Sequence, residues 1–80
     1  MGGTMLIRPS SRIVAIAGQK VTLDSIESGF EIGDTCLLER KSGEPLYYKI
    51  EDIDYENNAI ILNSSPSLTS IGSPIIDLGK

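Results

Sequence analysis

The sequence predicts an all-β domain, a small partly closed barrel or sandwich of about six or seven short antiparallel strands, with one or two single helical turns in its loops. The first observation is that apolar residues cluster in short runs separated by Gly, Ser, Asn and Pro. The second is that no segment keeps a helical apolar period over about 11 residues, so a long helix is not expected. The third is the length, since 80 residues form one domain at most.

Seven apolar runs are predicted to be strands. In chain order they are Met5–Arg8, Ile13–Ala17, Val21–Leu23, Thr35–Arg40, Leu46–Asp54, Ala59–Asn63 and Pro74–Leu78. We interpret residues 1–4 as a remnant of cloning and residues 5–80 as a single β domain. The stretch 64–74, rich in Ser, Pro and Gly, is interpreted as an extended arm. The arm either closes its own barrel or adds a strand to a neighbouring copy, and we favour the copy.

Turn residues mark the connections between these runs. Gly18 and its neighbours predict a tight turn, because glycine adopts positive φ without strain. Residues 56–58 predict a hairpin in which asparagine takes the left-handed conformation. One helical turn is predicted within residues 24–29, and another that begins at Ser65 as N-cap with Pro66 at the first helical position.

The longest predicted strand changes phase along its length. Leu46, Tyr48 and Ile50 share one face, whereas Ile53 and Tyr55 lie an odd number of positions away. All five side chains face inward only if a β-bulge falls between Ile50 and Ile53. A bulge bends its strand, and a bent strand lets a small sheet curl into an SH3-like or similar barrel.

The composition excludes most catalytic chemistry. The chain has no His, which removes the commonest general base and metal ligand. Cys36 is the single cysteine, so it forms no disulfide or zinc site within the chain, and we interpret it as a buried, unreactive thiol. The net charge of −4 disfavours nucleic acid as a partner. We find no membrane-spanning run and no signal peptide, and we expect no membrane partner, no cofactor, no catalytic residue and no enzyme activity.

Two groups of acidic residues are interpreted as structural. Residues 51–56 hold four carboxylates, but Asn57 and Asn63 stand where a calcium-binding EF-hand loop needs its Gly and its bidentate Glu. We therefore expect a solvated strand edge there and no metal site. Glu31 and Asp34 are interpreted as turn residues, since no aromatic platform accompanies them for sugar binding.

Four apolar doublets are the most informative feature: Leu37-Leu38, Tyr47-Tyr48, Ile60-Ile61 and Ile75-Ile76. Adjacent strand residues face opposite sides of a sheet, so the doublets predict burial on both faces. The second face is covered either by the chain's own loops or by another subunit, and we favour a subunit. The interface candidates are Leu38, Tyr47, Ile60, Ile75, Ile76 and Leu78.

Three segments, Gly29–Leu38, Tyr48–Ile53 and Ala59–Leu62, together resemble small β-barrel structural proteins of tailed-phage virions. These are the head-closure, head-to-tail adaptor, decoration and tail-appendage modules, and the shared pattern is Gly-Asp, a strand, Tyr-x-Ile-x-x-Ile, a turn and a strand. The resemblance implies assembly, often in symmetric rings or trimers, and no catalytic residues.

We therefore expect a non-catalytic structural protein of a phage virion, which lies in the virion or, before assembly, in the cytoplasm of the infected bacterium. Its expected partners are proteins, namely other virion proteins or further copies of itself in a homo-oligomer. The alternative is a ligand-binding β module of a bacterial protein, either carbohydrate-binding or a regulatory SH3-like domain. A defined oligomer in the absence of any ligand favours the structural protein over the ligand-binding module.

Overall fold

The computed structural model describes residues 9–26 and 29–80. The strands of these residues are β1 (Ser10–Ala17), β2 (Lys20–Leu23), β3 (Thr35–Leu38), β4 (Leu46–Asp54), β5 (Ala59–Leu62) and β6 (Pro74–Gly79). Two 3₁₀ turns, Tyr55–Asn57 and Leu68–Ser70, are the helical elements of the same ranges. The predicted all-β class is confirmed. The predicted strand Met5–Arg8 lies outside the described residues.

The strands close into a barrel in the order β1-β2-β5-β4-β3-β6, and each neighbouring pair is antiparallel. The two longest strands, β1 and β4, form the corners of the barrel. The first half of β4 pairs with β3 and the second half pairs with β5. The register shifts between Ile50 and Asp52, so the β-bulge predicted there is confirmed. Strand β1 is shared in the same way between β6 and β2.

The turns follow the predicted chemistry at two positions where φ is positive. Gly18, in the turn between β1 and β2, has a φ of 63°. Asn58, which ends the Tyr55–Asn57 turn, has a φ of 51° and is the non-glycine residue with positive φ in the described part. The predicted hairpin at residues 56–58 is therefore confirmed. It contains a 3₁₀ turn because Asp54 accepts a hydrogen bond from the Asn57 amide.

The second predicted helical turn exists, but its predicted start is wrong. The turn is Leu68–Ser70, and its N-cap is Ser67, whose side chain accepts a hydrogen bond from Thr69 N. Pro66 does not occupy the first helical position and instead is buried two residues before the turn. The other predicted turn, within residues 24–29, lies partly outside the described residues.

The core lies inside the barrel and draws side chains from all six strands. Its fully buried members include Ile13, Val21, Leu23, Phe30, Cys36, Leu38, Ile50, Ile60, Leu62 and Ile75. Tyr48 is also buried, and Ile53 packs against this cluster. Leu46 and Tyr55 are 37% and 67% exposed, so the prediction that these two side chains face inward is wrong. Leu46 begins β4 at the barrel rim, and Tyr55 belongs to the turn that follows β4.

Of the two alternatives for residues 64–74, the structure of the single chain shows the one in which the segment leads to a strand that closes its own barrel. The segment bonds to β1, through Ile13 N to Ser73 O at 3.0 Å and Gly72 N to Ile13 O at 2.7 Å. Strand β6 then lies between β3 and β1, so both of its edges are hydrogen-bonded within the chain. The C-terminal strand therefore closes its own barrel.

Candidate interaction surface

The structure separates the predicted interface residues into an inner and an outer set. Leu38, Ile60 and Ile75 point into the barrel and are 0% exposed, so they cannot contact a partner while the barrel is closed. Each doublet contributes its other member to the outside, because successive residues of a strand alternate in direction. Those outer members are Leu37, Tyr47, Ile61 and Ile76, of which Tyr47 is 60% exposed and the rest are half-buried.

Three of the outer side chains form a continuous row across neighbouring strands. Leu37 of β3 is opposite Tyr47 of β4 in one register and opposite Ile76 of β6 in the other. Side chains directly opposite each other on one face of a sheet are in contact range. We call Tyr47, Leu37 and Ile76 the outer row. Leu78, two residues after Ile76, is partly buried on the same face.

Charged residues of opposite sign lie at the two sides of the outer row. Lys49 of β4 is exposed and pairs in register with Thr35, one step from the row. Glu39 follows β3 on the other side, where it lines a shallow cavity of about 270 Å³ together with Leu37 and Pro45. The Glu39 amide bonds to the Pro74 carbonyl at 3.3 Å, which fixes its backbone beside the start of β6.

A pair of carboxyl groups lies inside the barrel where the loop before β3 meets β6. Asp34 and Asp77 are 4% and 2% exposed. Asp34 Oδ2 accepts from Glu31 N at 3.1 Å, so its predicted role as a turn residue is confirmed, and Asp77 Oδ1 accepts from Gly79 N at 2.6 Å. Asp77 Oδ2 is buried and no donor of the described chain reaches it.

Asp77 holds its proton more tightly than an exposed aspartate does. Burial and then a hydrogen bond with Asp34 raise the pKa of Asp77 to about 6. Two ionised carboxylates cannot hydrogen-bond to each other, so this bond exists while Asp77 is protonated and is lost as the pH rises above about 6. Sequence reasoning missed this pair. The available signal was strand alternation, which places Asp77 on the same face of β6 as the buried Ile75.

Cys36 lies next to this pair, and its thiol is shielded from solvent. Its side chain is 0% exposed, and in the register of β3 with β6 it is opposite Asp77. Burial and then the nearby charges of Asp77 and Asp34 raise the pKa of the thiol to about 12. The predicted burial of Cys36 is confirmed, and since the thiolate is the reactive form of cysteine, the low reactivity of this thiol stays a prediction.

The acidic residues near the end of β4 act in local hydrogen bonding. Asp54 accepts from Asn57 Nδ2 at 2.7 Å and pairs with Lys20 Nζ at 3.4 Å, and the Asn57 bond lowers the pKa of Asp54. Asp52 accepts from Ile53 N at 2.9 Å. Within residues 9–26 and 29–80, no group of three or more His, Cys, Asp or Glu side chains is placed to hold a metal ion.

Comparisons with known proteins add no assignment to this surface. No family model matches the chain, and neither a curated protein nor a solved structure matches it. None of the helical elements in the described part of the chain is long and apolar enough to span a membrane. The interpretation of the surface therefore depends on its own geometry.

Proposed function

We propose that the chain is a non-catalytic structural protein that acts through protein–protein contacts, including contacts with further copies of itself. The observation that carries the proposal is the outer row. The sheet of a closed barrel has the core against its inner face, and this core does not cover its outer face. The apolar side chains of the outer row therefore remain available to a partner, with Tyr47 more than half exposed.

The charges beside the outer row favour a second copy as the occupant. A two-fold axis along the row sets the row of one copy against the row of the other. The same operation brings the Lys49 side of one copy to the Glu39 side of its partner, and it does so twice. The placement of Lys49 and Glu39 therefore makes the two sides of the row complementary in charge, as an isologous interface requires.

The virion setting of this assembly role is part of the proposal and rests on the resemblance of Gly29–Leu38, Tyr48–Ile53 and Ala59–Leu62 to small phage barrel proteins. A non-catalytic role agrees with a chain that has no His and whose one thiol is buried. The genes that flank this one test the setting. Head, connector or tail genes on either side are the expected result, and metabolic genes would contradict it.

Charge reversal tests the self-association. Light scattering from about 1 to 100 μM is expected to show the parent chain as a dimer. Lys49→Glu and Glu39→Lys each place like charges together, and we expect each to weaken association by about tenfold. The double variant exchanges the two charges and restores association. Both substitutions leave the hydrogen bonds of the backbone amides in place, because Lys49 N donates to Asn63 Oδ1 and Glu39 N donates to the Pro74 carbonyl.

A matched pair of apolar substitutions separates the outer row from the rest of the surface. Leu37→Arg places a charge in the centre of the row and should give a folded monomer. Val14→Arg makes a comparable change at a side chain of β1 that is 50% exposed, and it should associate like the parent chain. A parent chain that is monomeric at about 100 μM, or a Val14 variant that dissociates as readily as the Leu37 variant, contradicts the proposal.

A further inference from the structure

A cavity of about 390 Å³ lies between the loop that joins β3 to β4 and the segment that joins β5 to β6. Its lining consists of two cationic side chains, five side-chain hydroxyls and one apolar side chain, and none of them is a carboxylate. The lining residues are Arg40, Lys41, Ser42, Leu46, Ser67, Thr69, Ser70 and Ser73. We call this cavity the hydroxyl pocket.

The guanidinium of Arg40 is held in position by its own loop. Arg40 Nε donates to the Glu44 carbonyl at 2.7 Å. Gly43 has a φ of +88°, and a Cβ at this position would come within 2.7 Å of Arg40 Nη2. A larger residue at position 43 would therefore displace the guanidinium. The terminal nitrogens Nη1 and Nη2 bond to no acceptor of the described residues, so their N–H groups remain available.

The opposite wall presents hydroxyl groups on a fixed backbone. Ser70 N bonds to the Ser67 carbonyl at 2.9 Å, and Ser73 N bonds to the Ser70 carbonyl at 3.0 Å. Ser67 Oγ and Thr69 Oγ1 lie 2.9 Å apart and bond to each other. Ser70 is 7% exposed, and its hydroxyl makes no hydrogen bond within the described chain. These hydroxyl groups line the same cavity as Arg40.

The charges around the hydroxyl pocket are unbalanced. The ion pairs of the described residues, Lys20 with Asp54 at 3.4 Å and Lys80 with Glu31 at 3.3 Å, lie elsewhere. Arg40 and Lys41 therefore have no carboxylate partner in the described part of a chain whose net charge is −4. Such an arrangement of fixed donors and cations suits an oxyanion.

We propose that the hydroxyl pocket binds a phosphate group, either as inorganic phosphate or carried by a small organic molecule. A phosphate offers several acceptor oxygens, which match a guanidinium fork, an ammonium group and convergent hydroxyls. The volume falls at the lower end of small-molecule sites, and Leu46 supplies an apolar wall for a carbon skeleton. Arg40 also lines the cavity beside Leu37 and Glu39, so the hydroxyl pocket adjoins the outer row, but none of the three residues of the row lines the pocket.

Titration of the ¹⁵N-labelled chain, followed by NMR, tests the site. Inorganic phosphate and glycerol 3-phosphate are added separately, with sodium chloride at equal ionic strength as the blank. Saturable shifts of the amides of residues 40–42 and 67–73 are expected, with a dissociation constant on the order of 1 mM. Tighter binding of glycerol 3-phosphate identifies the organic ester as the ligand class, and tighter binding of inorganic phosphate identifies the free ion.

Three variants separate the pocket from general charge attraction. Arg40→Gln should weaken binding by about tenfold, and Ser70→Ala, which changes no charge, should weaken it several-fold. Lys20→Gln removes the same charge as the Arg40 variant at a distant ion pair and should bind like the parent chain. The proposal is overturned by shifts that do not saturate up to about 50 mM, or by a Lys20 variant that weakens binding as much as Arg40→Gln.

Discussion

The buried carboxyl pair makes the stability of this barrel depend on pH. The substitution Asp77→Asn should abolish that dependence. Asp77 has its pKa raised from 3.8 to about 6 in the folded chain. Between about pH 4 and pH 6 the folded state therefore keeps a proton that the unfolded state has released. The free energy of unfolding falls as the pH rises through this window, and it stays low above it.

The size of the effect follows from the shift. One pKa unit corresponds to about 1.4 kcal/mol, so a shift from 3.8 to about 6 corresponds to roughly 3 kcal/mol between pH 4 and pH 7. A domain of this length has a total stability of about 4–12 kcal/mol. Asp77→Asn keeps the shape of the side chain and offers an amide N–H to Asp34 at every pH. The variant should equal the parent near pH 4 and exceed it by about 2–3 kcal/mol at pH 7.

Urea unfolding, followed by far-UV circular dichroism at pH values from 4 to 8, measures the difference. Asp52→Asn makes the same chemical change at an exposed position of β4 and controls for the loss of one carboxylate. The free energy of unfolding of the Asp52→Asn variant should vary with pH in the same way as that of the parent chain. The reasoning fails if Asp77→Asn keeps the parent's dependence on pH, or if it is less stable than the parent at pH 7.

Three further predictions concern the fold. A chain that ends at Ser65 lacks β6 and should lose its β-sheet circular dichroism, because β6 joins β3 to β1; a folded truncated chain would contradict the ring order. Ile50→Asp should unfold the domain at 25 °C, since an unpaired carboxylate in a side chain that is 1% exposed costs several kcal/mol; a parent-like melting temperature would mean that Ile50 is outside the core. Cys36 should react with a thiol reagent only in denaturant, and labelling at the same rate in native buffer would show an open barrel end.

Local features of the barrel were predictable because they depend on residues that are close together in the sequence. The phase change between Ile50 and Ile53 required a bulge, and the register shift lies there. Asn58 takes the left-handed conformation that its position in a hairpin predicted. These features depend on side-chain parity and on backbone preference, which a short segment carries by itself.

Features that depend on long-range pairing were less accessible. A doublet such as Leu37-Leu38 shows that both faces are apolar, but it does not show which member enters the core. Strand β6 illustrates the difficulty, since Ile76 and Leu78 form a more apolar face than Ile75 and Asp77, yet the latter face is buried. The buried face brings Asp77 beside Asp34, 43 positions earlier in the chain, and no local sequence pattern shows that contact.

The closure by β6 also changes how self-association has to occur. A strand with one free edge can add to the sheet of a neighbouring copy through its backbone. Both edges of β6 are already bonded, to residues 35–38 on one side and to residues 10–12 on the other. In the self-association that we propose, a second copy therefore contacts β6 through outward side chains, and Ile76 of the outer row is one of these. Association through side chains is sensitive to charge, so reversal at Lys49 and Glu39 acts on the contact, whereas removal of β6 acts on the fold.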